Sequence, residues 1–230
     1  MPDSTVIFLG PSLPLAEARA ILPDALYLPP VRRGSLAQFQ QNPPAVIGII
    51  DGSFFQTLSL SPMEIIPFLD QGVRIFGSSS MGAMRAVELR FEGMTGIGQI
   101  YERFASGEFS ADDDVAITFH SETLRPLSEP LANLHIALLQ AEAAGQISLR
   151  ERRRITALLR GIYFPNRTLP ALFLTAARVL GAERASYFRT WWQQYAPDAK
   201  AEDARALLRA IAKLSTSLQT NEEPLHAKAI

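Results

Sequence analysis

The chain has 230 residues, of which 47% are hydrophobic, and its formal net charge is −1. The balanced charge argues against nucleic acid or an anionic membrane as the main partner. Because the chain contains no cysteine, disulfides, a thiolate nucleophile and a cysteine-based zinc site are excluded. It shows neither a signal sequence nor an apolar run of membrane-spanning length, which predicts a cytoplasmic protein.

Strand and helix patterns alternate over the first 95 residues, as in a parallel α/β sheet. The apolar runs predict strands at Thr5–Leu9, Ala25–Leu28, Ala45–Ile50 and Val73–Phe76, and helices at Leu15–Leu22, Ser35–Gln41, Pro62–Asp70 and from Ser80 onward. Polar turn clusters follow three of the strands, at Gly10–Ser12, Asp51–Gly52 and Gly77–Ser80. Sites in parallel sheets lie outside the carboxyl ends of the strands, so we expect these clusters to share one rim.

Beyond Phe91 the pattern becomes mainly helical. Punctuation by Gly and Pro predicts helices at 96–106, 129–144, 148–161, 168–180, 182–195 and 200–217, with an acidic loop at 108–114 and one further strand at Val115–His120. The predicted fold class is α/β, an N-terminal parallel sheet with flanking helices that is capped by a C-terminal, mostly helical region. The predicted division is an α/β domain over 1–95, a helical region over 96–217 and a frayed tail over 218–230.

The junction of the fourth strand and its helix is a candidate nucleophile turn. Ser80-x-Gly82 matches the second half of the G-x-S-x-G elbow, with Ser78 in place of the first glycine. The backbone amides of Met81 and Gly82 would then face a developing negative charge, because the first amides of a helix lack intrahelical acceptors. Ser79 is the alternative nucleophile, since Gly77 precedes it by two residues. A serine at such a junction also commonly serves only as an N-cap.

Other polar residues allow a functional and a structural interpretation. Arg85 and Glu88 are spaced for a local ion pair, whereas the functional alternative has Arg85 orienting a substrate. The acidic loop containing Asp112–Asp114 either binds a cation or is simply solvated. His120 and His135 lack metal-ligand spacing, and Gly10–Ser12 lacks the repeated glycines of a phosphate loop, so we expect no metal, nucleotide or other cofactor. Aromatic residues of a late helix serve the core or, if exposed, a partner contact; these are Trp191, Trp192 and Tyr195.

Several segments, in order along the chain, resemble the TfuA-like proteins. They are Gly10–Ser12, Asp51–Gly52, Ser79–Leu89, Asp113–Ala116, Pro126–Asn133 and Asp198–Ala204, and the SSMGAxRAxEL stretch is the most specific of them. The resemblance implies an accessory role beside a YcaO enzyme that converts a peptide backbone amide to a thioamide. It implies hydrolysis of a C-terminal thiocarboxylate on a ubiquitin-like ThiS carrier, release of sulfide, and help in engaging the precursor peptide.

The resemblance also implies a Ser–Lys pair, and the chain offers three lysines, Lys200, Lys213 and Lys228. Lys200 lies in the family-like DAKAEDA segment at the start of a helix, where a cation opposes the helix dipole. Such a base must be desolvated to accept the hydroxyl proton. We therefore predict Ser80 (or Ser79) as nucleophile and Lys200 as base.

Substrate-binding roles are predicted for residues of the three turn clusters and the nearby helix, namely Gly10, Ser12, Asp51, Gly52 and Arg85. Asp51 ends an apolar strand and would either orient Lys200 or cap a helix. Two other functions remain open at this stage. One is a non-catalytic adaptor that binds YcaO and its peptide, and the other is a serine esterase or peptidase with a different substrate.

Overall fold

The structure is a computed structural model and describes residues 4–53, 57–120 and 122–221. Its centre is a five-stranded, fully parallel sheet in the order β2-β1-β3-β4-β5. The strands are β1 (Thr5–Phe8), β2 (Leu26–Leu28), β3 (Val46–Ile49), β4 (Arg74–Ser78) and β5 (Thr95–Ile97). This confirms the predicted α/β class. The order reverses between β1 and β3, and ligands of open parallel sheets bind at such a switch point, outside the carboxyl ends of the strands.

Helices cover the sheet and continue into the C-terminal region. They are α1 (Leu15–Ile21), α2 (Pro62–Asp70), α3 (Met81–Glu88), α4 (Gln99–Ala105), α5 (Leu131–Ala143), α6 (Leu149–Arg160), α7 (Leu169–Leu180), α8 (Ala182–Tyr195) and α9 (Ala199–Asn221). Within the described ranges, no helix combines the length and apolar character needed to cross a bilayer.

The two faces of the sheet bury different helices because side chains alternate along each strand. Val6 and Ile47 face a cluster that contains Met81 of α3. Ile7 and Ile50 point the other way and pack against α9, through Leu207, Leu208 and Ile211. The last helix therefore returns to the N-terminal sheet, and this packing brings the start of α9 to the rim of the sheet. Helices α5 to α8 enclose a separate apolar cluster.

Two predicted elements beyond residue 90 are wrong. Thr95–Ile97 forms the edge strand β5, which pairs with β4, where the sequence predicted the first turn of a helix. Val115–His120 is not a strand, and Phe119 makes only an isolated antiparallel bridge to Pro126. Thr95–Ile97 contains a glycine and only one apolar side chain, so it carries no strand pattern, and the apolar side chains of 115–119 line a pocket instead of a sheet.

The last helix extends further than predicted. α9 continues to Asn221, so it includes residues 218–221, which the sequence assigned to the predicted tail. The remainder of that predicted tail, 222–230, lies outside the described residues. The division at residue 95 stays a prediction, although β5 spans that position.

A buried carboxylate joins α9 to the start of α4. Asp203 is 3% exposed, and its two oxygens accept hydrogen bonds from the backbone N–H groups of Gln99 (2.9 Å) and Ile100 (2.8 Å). Burial raises the pKa of Asp203 from 3.8 to about 6, despite these two bonds. The folded protein thus binds this proton more tightly than the unfolded chain does.

This shift predicts that the free energy of unfolding falls as the pH rises from about 4 to about 6. In that window the folded state holds the proton and the unfolded chain has lost it. At about 1.4 kcal/mol per pKa unit, the full effect is at most about 3 kcal/mol. Urea unfolding at several pH values should show that Asp203→Asn removes this fall, whereas Glu92→Gln, at an exposed residue that is not among the causes of the Asp203 shift, keeps it. Equal slopes for Asp203→Asn and the wild type would contradict the prediction.

Candidate functional site

The three polar clusters meet at the carboxyl ends of β1, β3 and β4, as the sequence predicted. Asp51, directly after β3, is 1% exposed and is the centre of this rim. Its carboxylate accepts hydrogen bonds from the backbone N–H groups of Gly10 and Ser12, both at 3.0 Å, and from the Ser12 hydroxyl at 2.6 Å. Three donors from the β1 loop therefore fix the orientation of one buried carboxylate at the switch point.

Lys200 reaches the same place from the first turn of α9. The residue is 3% exposed, and its Nζ lies 3.6 Å from Oδ1 of Asp51 and 3.5 Å from the carbonyl oxygen of Val115. Its backbone N–H donates to Oδ1 of Asn133 at 2.9 Å. The lysine is buried, as a base in a Ser–Lys pair requires, but it faces a carboxylate. It is therefore half of a buried ion pair and not an isolated amine.

The turn between β4 and α3 is sharp. The backbone N–H of Ser80 donates to the carbonyl oxygen of Ser78 at 2.7 Å, and Ser79 between them has a positive φ of 67°. Such a conformation is uncommon for a residue other than glycine, and it is the kind of tight strand-to-helix turn on which nucleophiles are found. The Ser79 hydroxyl donates to the carbonyl oxygen of Lys200. Ser79 thus links the turn to the first residues of α9.

Ser80 occupies the N-cap position of α3, but its side chain makes no capping hydrogen bond to the amides that the structure describes. It is 2% exposed and lines a pocket together with Asp51 and Lys200. Of the two candidate serines, only Ser80 lines this pocket within the described part of the chain. The first amides of α3, at Met81 and Gly82, lack intrahelical acceptors beside it.

The pocket has a volume of about 300 Å³. Its polar floor is formed by Asp51, Ser80 and Lys200, and its walls are largely apolar and aromatic. These walls include Pro11, Gly52, Val115, Ile117, Phe119, Tyr163, Phe164 and Pro165. A reacting group in this pocket would meet a serine hydroxyl, an ammonium group and the positive end of a helix with little surrounding water.

The glycines of the turn permit close packing. A Cβ on Gly82 would lie 1.7 Å from the carbonyl oxygen of Ile49, and one on Gly77 would lie 2.1 Å from the carbonyl oxygen of Gly82. A Cβ on Gly52 would collide with the Met81 side chain, 2.4 Å from its sulfur. These glycines allow α3 to approach β3 and β4 so closely that Ser80 reaches the rim.

Three of the predicted substrate-binding residues, Arg85, Gly10 and Ser12, do not line the pocket. Nε of Arg85 donates to the carbonyl oxygen of Leu60 at 2.8 Å, and its guanidinium forms the predicted ion pair with Glu88. Arg85 is not part of the pocket lining, and Gly10 lines a neighbouring cavity. Ser12 acts on the site only through Asp51.

The acidic loop is neither a cation site nor simply solvated. Asp113 pairs with the fully buried Arg167 at 2.6 Å, and Asp114 is 3.3 Å from a guanidinium nitrogen of Arg160. His135 is buried beside Glu108, and burial lowers its pKa. Among the described residues, no group of His, Asp or Glu side chains is arranged to hold a metal ion.

Sequence reasoning assigned no role to several residues that build the site. Asn133 holds the backbone of Lys200, the Val115 carbonyl faces its ammonium group, and Tyr163 and Phe164 form a wall. Asn133 and Val115 fall inside segments that resemble the TfuA-like proteins, so the resemblance could have identified them as site residues. The two aromatic residues fall in none of those segments and carry no such signal.

Comparison with known proteins supports the family resemblance seen in the sequence. No curated protein matches the chain significantly. The family model described as TfuA-like protein matches residues 51–168, just over half of the chain. The matched segment contains Asp51, the turn at Ser80 and most of the pocket wall, whereas Lys200 follows it. The chain belongs to the family of TfuA-like proteins, a kind of protein known as a partner of YcaO enzymes.

Proposed function

We propose that this protein assists YcaO-dependent peptide thioamidation by hydrolysing the thiocarboxylate of a ubiquitin-like, ThiS-type carrier, and that it helps YcaO to engage its precursor peptide. The observation that carries the proposal is the buried pocket in which Ser80, Lys200 and Asp51 meet at the start of α3. Family membership is consistent with an accessory role beside YcaO. The chain has no cysteine, so sulfur would leave the carrier directly as sulfide.

The charge of the pocket suits an anionic thiocarboxylate. The Lys200 ammonium is the only side-chain cation among the described residues that line it, and a bound thiocarboxylate would share this ammonium with the Asp51 carboxylate. The amides at the start of α3 add a second positive region. We therefore expect the C-terminal acyl group to bind with its carbonyl carbon near the Ser80 hydroxyl.

The acylation step balances with Lys200 as a proton shuttle. The ammonium gives a proton to the bound thiocarboxylate, and the resulting amine accepts the proton of the Ser80 hydroxyl as its oxygen attacks the carbonyl carbon. The C–O bond forms, the C–S bond breaks and hydrosulfide leaves, while Lys200 is again an ammonium. A lysine that is charged before substrate binds is therefore compatible with the reaction, because the substrate itself accepts the first proton.

Asp51 would act as the third member of this group. Its carboxylate is fixed by three donors and lies 3.6 Å from Lys200 Nζ, so it orients the lysine and balances its charge. The amides of Met81 and Gly82 would hold the oxyanion. The departing hydrosulfide takes a proton from Lys200 and leaves as hydrogen sulfide, so that Lys200 becomes an amine. This amine accepts a proton from the water that attacks the Ser80 ester, and returns it to the Ser80 oxygen as the C–O bond breaks. Lys200 then takes the proton of the released carboxylic acid, so the carrier leaves as its carboxylate.

A second candidate function is an adaptor without catalysis. α8 presents Tyr187 (67% exposed) and Tyr195 (56% exposed) to solvent, whereas Trp192 is buried in the core of the helical region. Exposed tyrosines are common at protein interfaces, where they supply large contact areas. A face of this kind would suit YcaO whether or not the pocket is catalytic.

The deciding experiment measures sulfide release from thiocarboxylated carrier by the purified protein, beside binding to YcaO and to the precursor peptide. We expect catalytic sulfide release and a transient carrier adduct on Ser80 that mass spectrometry detects after acid quench. Tight YcaO binding without sulfide release would leave the adaptor. Turnover of small esters without any preference for the carrier would instead favour a general esterase.

A further inference from the structure

A second cavity opens beside the mouth of the Ser80 pocket. It has a volume of about 700 Å³ and shares Ser53 and Phe119 with that pocket. Apolar side chains of the sheet line its base, at Phe8 and Leu28, and Leu124 of the loop after residue 119 lines it as well. The two spaces therefore adjoin at Ser53 and Phe119, and the second cavity is called the groove below.

Arginines line the outer part of this groove. Arg32 and Arg33 are both exposed, and neither forms an ion pair with any residue that the structure describes. Arg125 lines an adjoining cavity, which shares Leu124 with the groove. The whole chain has a net charge of −1, so this concentration of positive charge is local.

Glu64 is bonded to the loop after Arg33 but forms no ion pair with Arg32 or Arg33 in the described part of the chain. Glu64 accepts hydrogen bonds from the backbone N–H groups of Gly34 (2.6 Å) and Ser61 (2.9 Å). It thus connects the loop after Arg33 to the start of α2. The guanidinium groups of Arg32 and Arg33 remain available to an external partner.

The size of the Ser80 pocket limits the shape of a partner that can reach Ser80. A volume of about 300 Å³ excludes a folded domain, so a protein substrate can bring its terminal acyl group to Ser80 only on an extended tail. Such a tail advances about 3.3 Å per residue, and its preceding residues must leave through the mouth of the pocket. The arginine-lined groove adjoins the Ser80 pocket at Ser53 and Phe119.

We propose that the groove binds the extended segment before the C-terminal acyl group of the carrier, and that acidic side chains of this segment pair with Arg32 and Arg33. The proposal rests on the proposed function for the identity of the carrier. It assigns substrate recognition to a region separate from the catalytic group. Recognition would therefore lower KM for the carrier without contributing to kcat.

The test replaces both arginines, as Arg32→Glu/Arg33→Glu. Its matched control is Arg153→Glu/Arg154→Glu, because these adjacent arginines of α6 are also exposed and line none of the cavities formed by the described residues. We expect the groove variant to raise KM for the thiocarboxylated carrier about 10-fold or more, with kcat changed less than about 2-fold. Hydrolysis of thioacetate, which has no tail, should be unchanged.

A binding measurement separates this proposal from the proposed function. Ser80→Ala protein, with and without the groove substitutions, is titrated with the carboxylate form of the carrier and with a synthetic peptide of its last ten residues. Loss of affinity for both, increasing at low salt, supports the groove even if the wild type releases no sulfide. Unchanged affinity for the carrier, or a loss confined to the precursor peptide, would overturn it.

Discussion

Replacing Ser80 with alanine is expected to lower the rate of sulfide release from the thiocarboxylated carrier by about 10⁴-fold. The substitution removes the attacking oxygen, while binding through Lys200 and the start of α3 remains. Its matched control is Ser78→Ala, because Ser78 is fully buried and its hydroxyl has no hydrogen-bond partner among the described residues. The control should keep both its activity and its fold.

Lys200→Met should lower the rate to a similar degree, since members of such a group act as a unit. It leaves the Asp51 carboxylate buried without its cation, so unfolding must be measured alongside activity. Ser79→Ala separates the two serines. It removes a hydrogen bond to the Lys200 carbonyl and should slow the reaction far less than Ser80→Ala. An active Ser80→Ala with an inactive Ser79→Ala would move the nucleophile to Ser79, and full sulfide release by both variants would exclude a serine nucleophile.

Arg167→Met is expected to lower the free energy of unfolding by about 3–5 kcal/mol, because it removes the hydrogen bonds of one buried guanidinium to a carboxylate and to three backbone carbonyl oxygens. Arg167 is fully buried, and it donates to the Asp113 carboxylate and to backbone carbonyl oxygens of Leu159, Ile162 and Asp113. Methionine would leave these acceptors unpaired. Because total stability is typically about 5–15 kcal/mol, urea denaturation should reveal a large shift of the midpoint.

The control for that prediction is Arg160→Met. Its side chain is 55% exposed and pairs with Asp114 at 3.3 Å, so we expect a loss below about 1 kcal/mol. Equal losses for the two variants would show that the hydrogen bonds of Arg167 stabilise the fold no more than an exposed ion pair does.

The contacts of Arg167 also affect the site, because they hold the loop that leads to Val115, whose carbonyl oxygen faces Lys200. We therefore expect reduced sulfide release from Arg167→Met even where it remains folded.

The predicted sheet was accurate where strands are central and apolar. Val46–Ile49 and Arg74–Ser78 are buried strands, as their β-branched and aromatic residues indicated. The edge strand Thr95–Ile97 was missed because its three residues include a glycine and carry no alternation. The segment after Val115 was mistaken for a strand, since a pocket wall and a strand both call for apolar side chains.

The candidate site was predictable in part. The elbow pattern marked Ser80, and the rule that sites lie at the carboxyl ends of parallel strands placed Asp51 beside it. The preference for Lys200 over Lys213 rested mainly on a resemblance, beside the physical argument that a cation at the start of a helix opposes the helix dipole. The pattern left Ser79 and Ser80 unresolved, because the direction of each hydroxyl depends on the local backbone. In the structure, Ser79 faces the α9 backbone and Ser80 faces the pocket.

The sequence by itself determined the fold class, the parallel sheet and the rim at which its polar turns meet, because these follow from local periodicity and from turn residues. Only the tertiary structure decided that Lys200 meets Asp51. That contact depends on α9 packing its apolar face across β1 and β3, far away in the chain. The sequence shows that one face of this helix is apolar, but it does not show which surface buries that face. The contact between Lys200 and Asp51 therefore follows only from the fold.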